Sequence, residues 1–241
     1  MSDKKTELLN KQTYDFNDLL DIMKCLTAPD GCPWDRAQTH ESIRINMVEE
    51  AYEAVDAIDR LDEAGMREEL GDVLLQVIFH CDMAERVGKF TLLEVVDELC
   101  RKLVYRHTHI FGENKAQISE EALGFWEKAK AQEKKASTLS EQLSRLPDNF
   151  PSLLKGQKAI KKAVKSGANF TEESIEKKLI ASINDKSANG RVKTMLYSLF
   201  LATLAGADAE VDLSKEVNGF MDKMKDLDGQ GKINEADARL E

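Results

Sequence analysis

Apolar residues recur along this chain with the period of an α-helix, and nowhere with the alternation of a strand. The clearest stretch is Leu70, Val73, Leu74, Val77, Ile78 and Cys81, which follows the i, i+3, i+4, i+7, i+8, i+11 template of one buried helical face. Gly88 stands where such a helix ends. A helix is predicted before it, with Thr39 as N-cap, an end near Asp59 or Arg60, and a stripe of Ile43, Met47, Ala51, Ala54, Val55 and Ile58. A first helix covers about Asn17 to Thr27, before the Pro and Gly punctuation of residues 28–33. Thr91 and Glu94 have the spacing of a capping box and open a fourth helix, which runs toward His107 and stops before Gly112. A fifth starts after Ser119 and carries Phe125 and Trp126.

From Lys135 to Ser152 the pattern lapses into a Ser-, Pro- and Asn-containing stretch, read as a linker. Further helices are predicted over about 153–166, 172–185, 191–205 and 211–226, with a fraying tail from Asp228. The expectation is an all-α protein of two tandem helical-bundle units. Residues 1–136 form the first, 137–151 the linker, and 152–241 the second.

The formal net charge of −10 argues against charge-driven binding of nucleic acid. It does not oppose phosphorylated small molecules, because a bound divalent cation inverts the local sign. Cys25, Cys32, Cys81 and Cys100 form no C-x-x-C pair and no zinc pattern, which suits free thiols in a reducing cytoplasm. Residues 1–10 lack an apolar signal core, and no apolar run reaches the length of a membrane span. A cytoplasmic protein without membrane or nucleic-acid partners is expected.

The acidic residues change the picture most. Glu50 and Glu53 are i, i+3 on the second helix, and Glu69, Asp72 and Gln76 flank the stripe of the third. A short loop makes these helices antiparallel neighbours. Glu53 and Asp72 then lie roughly 9 Å from the loop, at about 1.5 Å rise per residue. Two carboxylate pairs face each other across one groove, and such a set repels unless a cation compensates. Mg²⁺ suits it, with waters and substrate phosphates completing the octahedron. Spacing alone leaves a solvated acidic face equally open, since Glu94/Asp97 and Glu173/Glu176 share it. A di-iron carboxylate bundle is disfavoured, because none of His40, His80, His107 or His109 follows a Glu by three residues.

Four segments, in order, resemble the MazG-type nucleotide pyrophosphohydrolases. Glu49-Glu50-Ala51-Tyr52-Glu53 followed by Glu69-Leu70-Gly71-Asp72 is similar to the family's E-E-x-x-E and E-x-x-D motif. Residues 31–39, GCPWDRAQT, resemble its G-C-P-W-D-x-x-Q-T segment. Residues 102–111, KLVYRHTHIF, resemble K-L-x-x-R-H-x-H-V-F, and the stretch from Trp126 to Lys134 resembles W-x-x-x-K-x-x-E-K. The resemblance implies an all-α enzyme that is dimeric or larger. It implies Mg²⁺ or Mn²⁺ as cofactor, and hydrolysis of ordinary or aberrant (deoxy)nucleoside triphosphates to monophosphate and pyrophosphate, in nucleotide-pool housekeeping. It carries metal ligation to Glu50, Glu53, Glu69 and Asp72, and a place near the attacking water to Glu49. It carries phosphate contacts to Lys102 and Arg106, base stacking to Trp126 with Lys130 one turn on, and pocket-lining roles to Trp34 and Gln38. The alternative within the same fold is a nucleotide-binding or regulatory scaffold with little activity.

The resemblance also implies a second copy of the fold. Residues 146–158, 199–206 and 209–213 are similar to the segment between repeats and to the helices after the acidic motif. The motif itself is missing: Gly190-Arg191-Val192-Lys193 stands at E-x-x-D and Glu176-Lys177-Lys178-Leu179 near E-x-x-E. The second half is therefore expected to be catalytically dead and to serve dimerisation or stability.

Overall fold

The computed structural model describes residues 2–133 and 138–233. Among these residues it holds helices and no strand, in two compact units, Met1–Lys130 and Ala131–Glu241.

The first unit opens with α1 (Ser2–Leu9), which the sequence pattern did not predict. Ion pairs join it to α2 (Phe16–Thr27), beside the one buried apolar side chain of α1, Leu8: Lys4 pairs with Asp21 at 2.9 Å, and Lys11, just beyond α1, with the buried Asp18 at 2.5 Å. Asp15 and Asp18 form the capping box that starts α2. After α3 (Pro33–Ala37), Thr39 caps α4 (His40–Ile43) reciprocally with Ser42. The long helix expected from Thr39 to Asp59 is interrupted here, and α5 spans Asn46–Asp59. Arg44 and Ile45 keep right-handed helical dihedrals, so the interruption is a restart of the hydrogen-bond ladder rather than a turn. Ile43, 2% exposed, is drawn into the core just before it.

The core of this unit is Met23, Ile43, Ile78, Phe79 and Met83, with Leu19, Leu20, Leu75 and Leu92 packed around it. Most of it comes from α2 and α6 (Glu63–Arg86). The stripe predicted for α6 is buried only in its C-terminal half. Ile78 and Cys81 are buried, whereas Leu70 and Leu74 are exposed, and on α5 so are Val55 and Ile58. After α6, Gly88 takes a positive φ of 66° and Lys89 N–H reaches back to the Ala84 carbonyl, as a Schellman ending requires. The Thr91–Glu94 capping box forms and opens α7 (Leu92–Arg106). Then follow α8 (Thr108–Phe111) and α9 (Ser119–Glu133).

The second unit contains α10 (Leu139–Ser144), which lies inside the stretch expected as a linker, and α11 (Ser152–Lys165). It continues with α12 (Glu172–Asn184), α13 (Ala188–Leu204) and α14 (Ala209–Gly229). Ile160, Leu199 and Ala209 form its core, joined by Leu153 and Phe200. The end of the tail expected to fray, residues 234–241, lies outside the described residues, as do residues 134–137 at the start of the linker. No helix among the described residues is long and apolar enough to cross a membrane.

The hairpin of α5 and α6 positions everything that follows. Ala54 and Ala57 are buried on α5, and a Cβ on Gly65 of α6 would stand 3.5 Å from the Ala57 Cβ, so small residues let the two backbones approach closely. The turn between them is also a Schellman ending, with Asp62 N–H bonded to the Ala57 carbonyl, but its left-handed position is Leu61, at φ 56° and 89% exposed. Left-handed backbone costs a non-glycine residue roughly 1–2 kcal/mol, and glycine loses roughly 0.5–1 kcal/mol more to chain entropy. Leu61→Gly is therefore expected to stabilise the protein by about 0.5–1 kcal/mol. Urea unfolding measures it, and a destabilised variant would show that the turn is unstrained.

Candidate metal centre

One carboxylate oxygen each from Glu50 on α5 and from Glu69 and Asp72 on α6 lie within 4.8 Å of one another. All three residues are partly buried. Glu53, one turn beyond Glu50, is more exposed, yet its carboxyl is near enough to help raise those of both Glu50 and Glu69. The four carboxylates predicted to face one another across the hairpin are thus brought together. Glu49 is exposed on α5 and stands outside the three-residue group.

Electrostatics says what the cluster lacks. Burial, and then the charges of Asp72, Glu53 and Glu69, hold the Glu50 carboxyl above its ordinary value. Burial, then Glu53, Glu68 and Asp72, do the same for Glu69. The leading influences on both are desolvation and other carboxylates, with no cationic side chain among them. Such a set is costly when ionised at neutral pH unless a cation joins it. A hard divalent ion with oxygen ligands at about 2.1 Å fits the donor set after small side-chain adjustments.

The remaining candidates fall into two other groups. On α7 and α9, the Arg106 guanidinium lies 5.3 Å and the Lys130 ammonium 4.5 Å from the centre of the Trp126 ring, a cation–aromatic cluster. Lys102 is exposed one turn earlier on α7. Arg106 and Asp72 each lie fourteen residues from the ends of their helices at the α6–α7 turn, an equal rise along both arms. On α3, Trp34 is 60% exposed. Gln38 is engaged locally: its amide donates to the Trp34 carbonyl at 2.8 Å and its oxygen accepts from Ser42 Oγ at 2.9 Å. Gln38 thus braces the α3–α4 turn, with one amide N–H and one oxygen lone pair beyond these two bonds.

Two residues given no site role in the sequence reading lie on the same face of α6. Glu69, Asp72, Gln76 and His80 follow the i, i+3, i+7, i+11 spacing, so a polar stripe runs beside the apolar one. Gln76 is 6% exposed, and its Oε1 has no hydrogen-bond partner. The stripe's spacing was its signal in the sequence.

The model of the MazG nucleotide pyrophosphohydrolase domain matches residues 38–111, a span that holds the whole acidic cluster. A nucleoside triphosphate pyrophosphohydrolase/pyrophosphatase MazG of Thermotoga maritima is 34% identical over 222 residues, covering 88% of this chain and 85% of its own. The chain belongs to the MazG family. A nucleoside triphosphate pyrophosphohydrolase of Escherichia coli is 31% identical over 225 residues, 87% of this chain and 86% of that one. Bacillus subtilis YabN, an uncharacterized protein, is 42% identical over 145 residues, 60% of this chain and 29% of its own. The first two alignments extend well into the second unit.

That unit contains a hairpin with a connection of the same length, though without the left-handed turn residue of the first. Two residues, Asp185 and Lys186, separate α12 from the N-cap of α13, as Arg60 and Leu61 separate α5 from the N-cap of α6. Counted from this connection, Glu50, Glu53, Glu69 and Asp72 correspond to Ile175, Lys178, Thr194 and Tyr197. On this count Gly190 falls at Gly65. A Cβ on Gly190 would stand 2.2 Å from the Asp185 carbonyl oxygen, so no carboxylate side chain fits at that position. Across this hairpin Ser182 Oγ and Thr194 Oγ1 share a neutral hydrogen bond at 3.0 Å. Among the described residues, Glu50, Glu69 and Asp72 are the one group of three metal-ligating side chains.

The raised carboxyls set a pH-dependent test. A carboxyl whose folded value is raised destabilises the fold only where it is ionised, so the penalty is absent below the ordinary value of 4.5 and develops as pH rises through the raised one. In metal-free protein, Glu69→Gln is expected to raise the melting temperature at pH 7 and to leave it unchanged near pH 4. Mg²⁺ is expected to stabilise the wild type and not the variant. Thermal melts with and without chelator check both, and equal Mg²⁺ stabilisation of the two proteins would refute the assignment.

Proposed function

We propose that this chain hydrolyses (deoxy)nucleoside triphosphates to monophosphate and pyrophosphate at the α5–α6 hairpin, with Mg²⁺ bound by Glu50, Glu53, Glu69 and Asp72. The observation that carries the proposal is the convergence of these carboxylates without a compensating cation, within the segment that matches the family domain. The activity for which the Thermotoga maritima and Escherichia coli relatives are named supports it. Mn²⁺ serves as a substitute with the same ligand preferences.

A divalent ion held by Glu50, Glu53, Glu69 and Asp72 would supply charge neutralisation for the substrate phosphates and a bound water acidic enough to act at neutral pH. The chain's own residues do the rest. Glu49 orients the attacking water toward the α-phosphorus, and pyrophosphate leaves in line. Lys102 and Arg106 hold the β- and γ-phosphate oxygens. Trp126, flanked by Arg106 and Lys130, stacks on the base. Trp34 closes the pocket from α3. Base and sugar preference come from these contacts rather than from the acidic cluster. The four cysteines are unpaired, in keeping with a cytoplasmic enzyme.

The active form is a homodimer, and the exposed apolar faces support this. No residue of α7 is buried, although Val96, Leu99 and Leu103 line one face of it. Val55 on α5 and Leu70 and Leu74 on α6 are exposed as well. The second unit, with no acidic cluster in its described residues, serves stability or assembly.

Product analysis on a panel of nucleoside triphosphates with Mg²⁺ tests the reaction. Monophosphate and pyrophosphate are expected, and diphosphate with orthophosphate would overturn the proposal. Glu53→Gln is expected to lower kcat by about 100-fold or more, given that even second-shell changes typically cost 10- to 100-fold. Glu173→Gln, an exposed helix residue paired with Lys177, is expected to leave the rate unchanged. Leu99→Glu is expected to yield monomers in sedimentation velocity, whereas an unchanged dimer would place the interface elsewhere.

A further inference from the structure

His40 opens α4, and His80 lies near the far end of the polar stripe on α6. Their Nδ1 atoms are 2.7 Å apart, the ring planes differ by 2°, and the ring centres are 5.0 Å apart. The centre separation matches the N···N contact lengthened by the two ring radii. The rings therefore meet edge to edge in one plane, not face to face. This is an in-line N–H···N hydrogen bond. It has room for one proton, so one imidazole donates from Nδ1 and the other accepts there, and the two rings hold opposite tautomers. Burial, and then the charge of His40, hold the His80 imidazole below its ordinary value.

The place of this bond in the chain gives it a role. Glu50 and Glu53 lie ten and thirteen residues after His40, and Asp72 lies eight residues before His80, about 12 Å along α6. The hairpin turn at residues 60–62 ties α5 to α6 on one side of the carboxylate cluster. The ladder break at Arg44 and Ile45 leaves the other side without a continuous helix to brace it. The imidazole pair joins the segment before that break directly to α6.

We propose that His40 and His80 are positioning residues for the metal centre, a one-proton clamp that holds the entry of α5 against α6 and fixes the spacing of Glu50 and Glu53 from Glu69 and Asp72. This rests on the reading of the acidic cluster as a metal site. The clamp touches neither ion nor substrate. It acts by limiting how far the two helices part when carboxylate repulsion pushes them.

The test uses full-length protein and Mn²⁺ alone as probe, without turnover. Mn²⁺ affinity is read by electron paramagnetic resonance for wild type, His40→Ala, His80→Ala and the double variant, and imidazole tautomers by nitrogen-15 NMR. His40 is exposed, so His40→Ala keeps the test open if His80→Ala fails to fold. Each single variant is expected to weaken Mn²⁺ binding by about three- to tenfold, with the double variant no weaker than either. Wild type is expected to show opposite tautomers and one downfield Nδ1 proton that His40→Ala removes. Unchanged Mn²⁺ affinity in His40→Ala, additive losses in the double variant, or identical tautomers would overturn the clamp while leaving the metal site standing. A wild type that binds no Mn²⁺ would overturn both.

Discussion

Mutual repulsion among four carboxylates is the constraint around which the first unit is organised. Glu50, Glu53, Glu69 and Asp72 are held close enough to raise two of their own ionisation values, with no basic side chain among the leading influences on either. The fold supplies the counterforce. Small residues at Ala54, Ala57 and Gly65 allow close helix contact, and the Leu61 turn closes one end despite its left-handed backbone. Met23, Ile78, Phe79 and Met83 anchor the other half of α6 in the core. Stability is thus concentrated away from the site and strain near it, the distribution expected where a ligand completes the structure.

Much of this was legible in the sequence because it obeys a local period. The helices of α6 and α7, the Thr39 and Thr91 caps, the Gly88 ending and the facing of the carboxylate pairs all follow from spacing within one or two turns. What spacing could not decide was which half of an apolar stripe meets a partner. Leu70 and Leu74 continue the periodicity of Ile78 and Cys81 but stay exposed, because the α2 core reaches only the C-terminal half of α6. The helix α1 escaped notice because the Lys4–Asp21 and Lys11–Asp18 pairs and a single buried Leu8 leave no apolar stripe. Gln38 was assigned to a pocket by resemblance, and spacing gave no sign that its amide also braces its own turn through Trp34 and Ser42.

Among the described residues, the α12–α13 hairpin has no group of carboxylates like that of α5 and α6. Sequence alignment placed the loss at Gly190 and Lys193. Counting from the two-residue connection gives Ile175, Lys178, Thr194 and Tyr197 at the four positions, with no carboxylate among them. A neutral Ser182–Thr194 hydrogen bond takes the place of carboxylate repulsion, so this hairpin needs no cation to close. The two hairpins thus differ in charge: one gathers carboxylates and the other joins its helices through a neutral hydrogen bond.

Anomalous diffraction from crystals grown with Mn²⁺ tests the central claim most directly. The account predicts a manganese peak in the first unit bounded by the carboxylates of Glu50, Glu69 and Asp72, with Glu53 turned toward it, and no such peak at the α12–α13 hairpin. A fully Mn²⁺-soaked crystal with that cluster empty, or with the ion held by other residues, would contradict it.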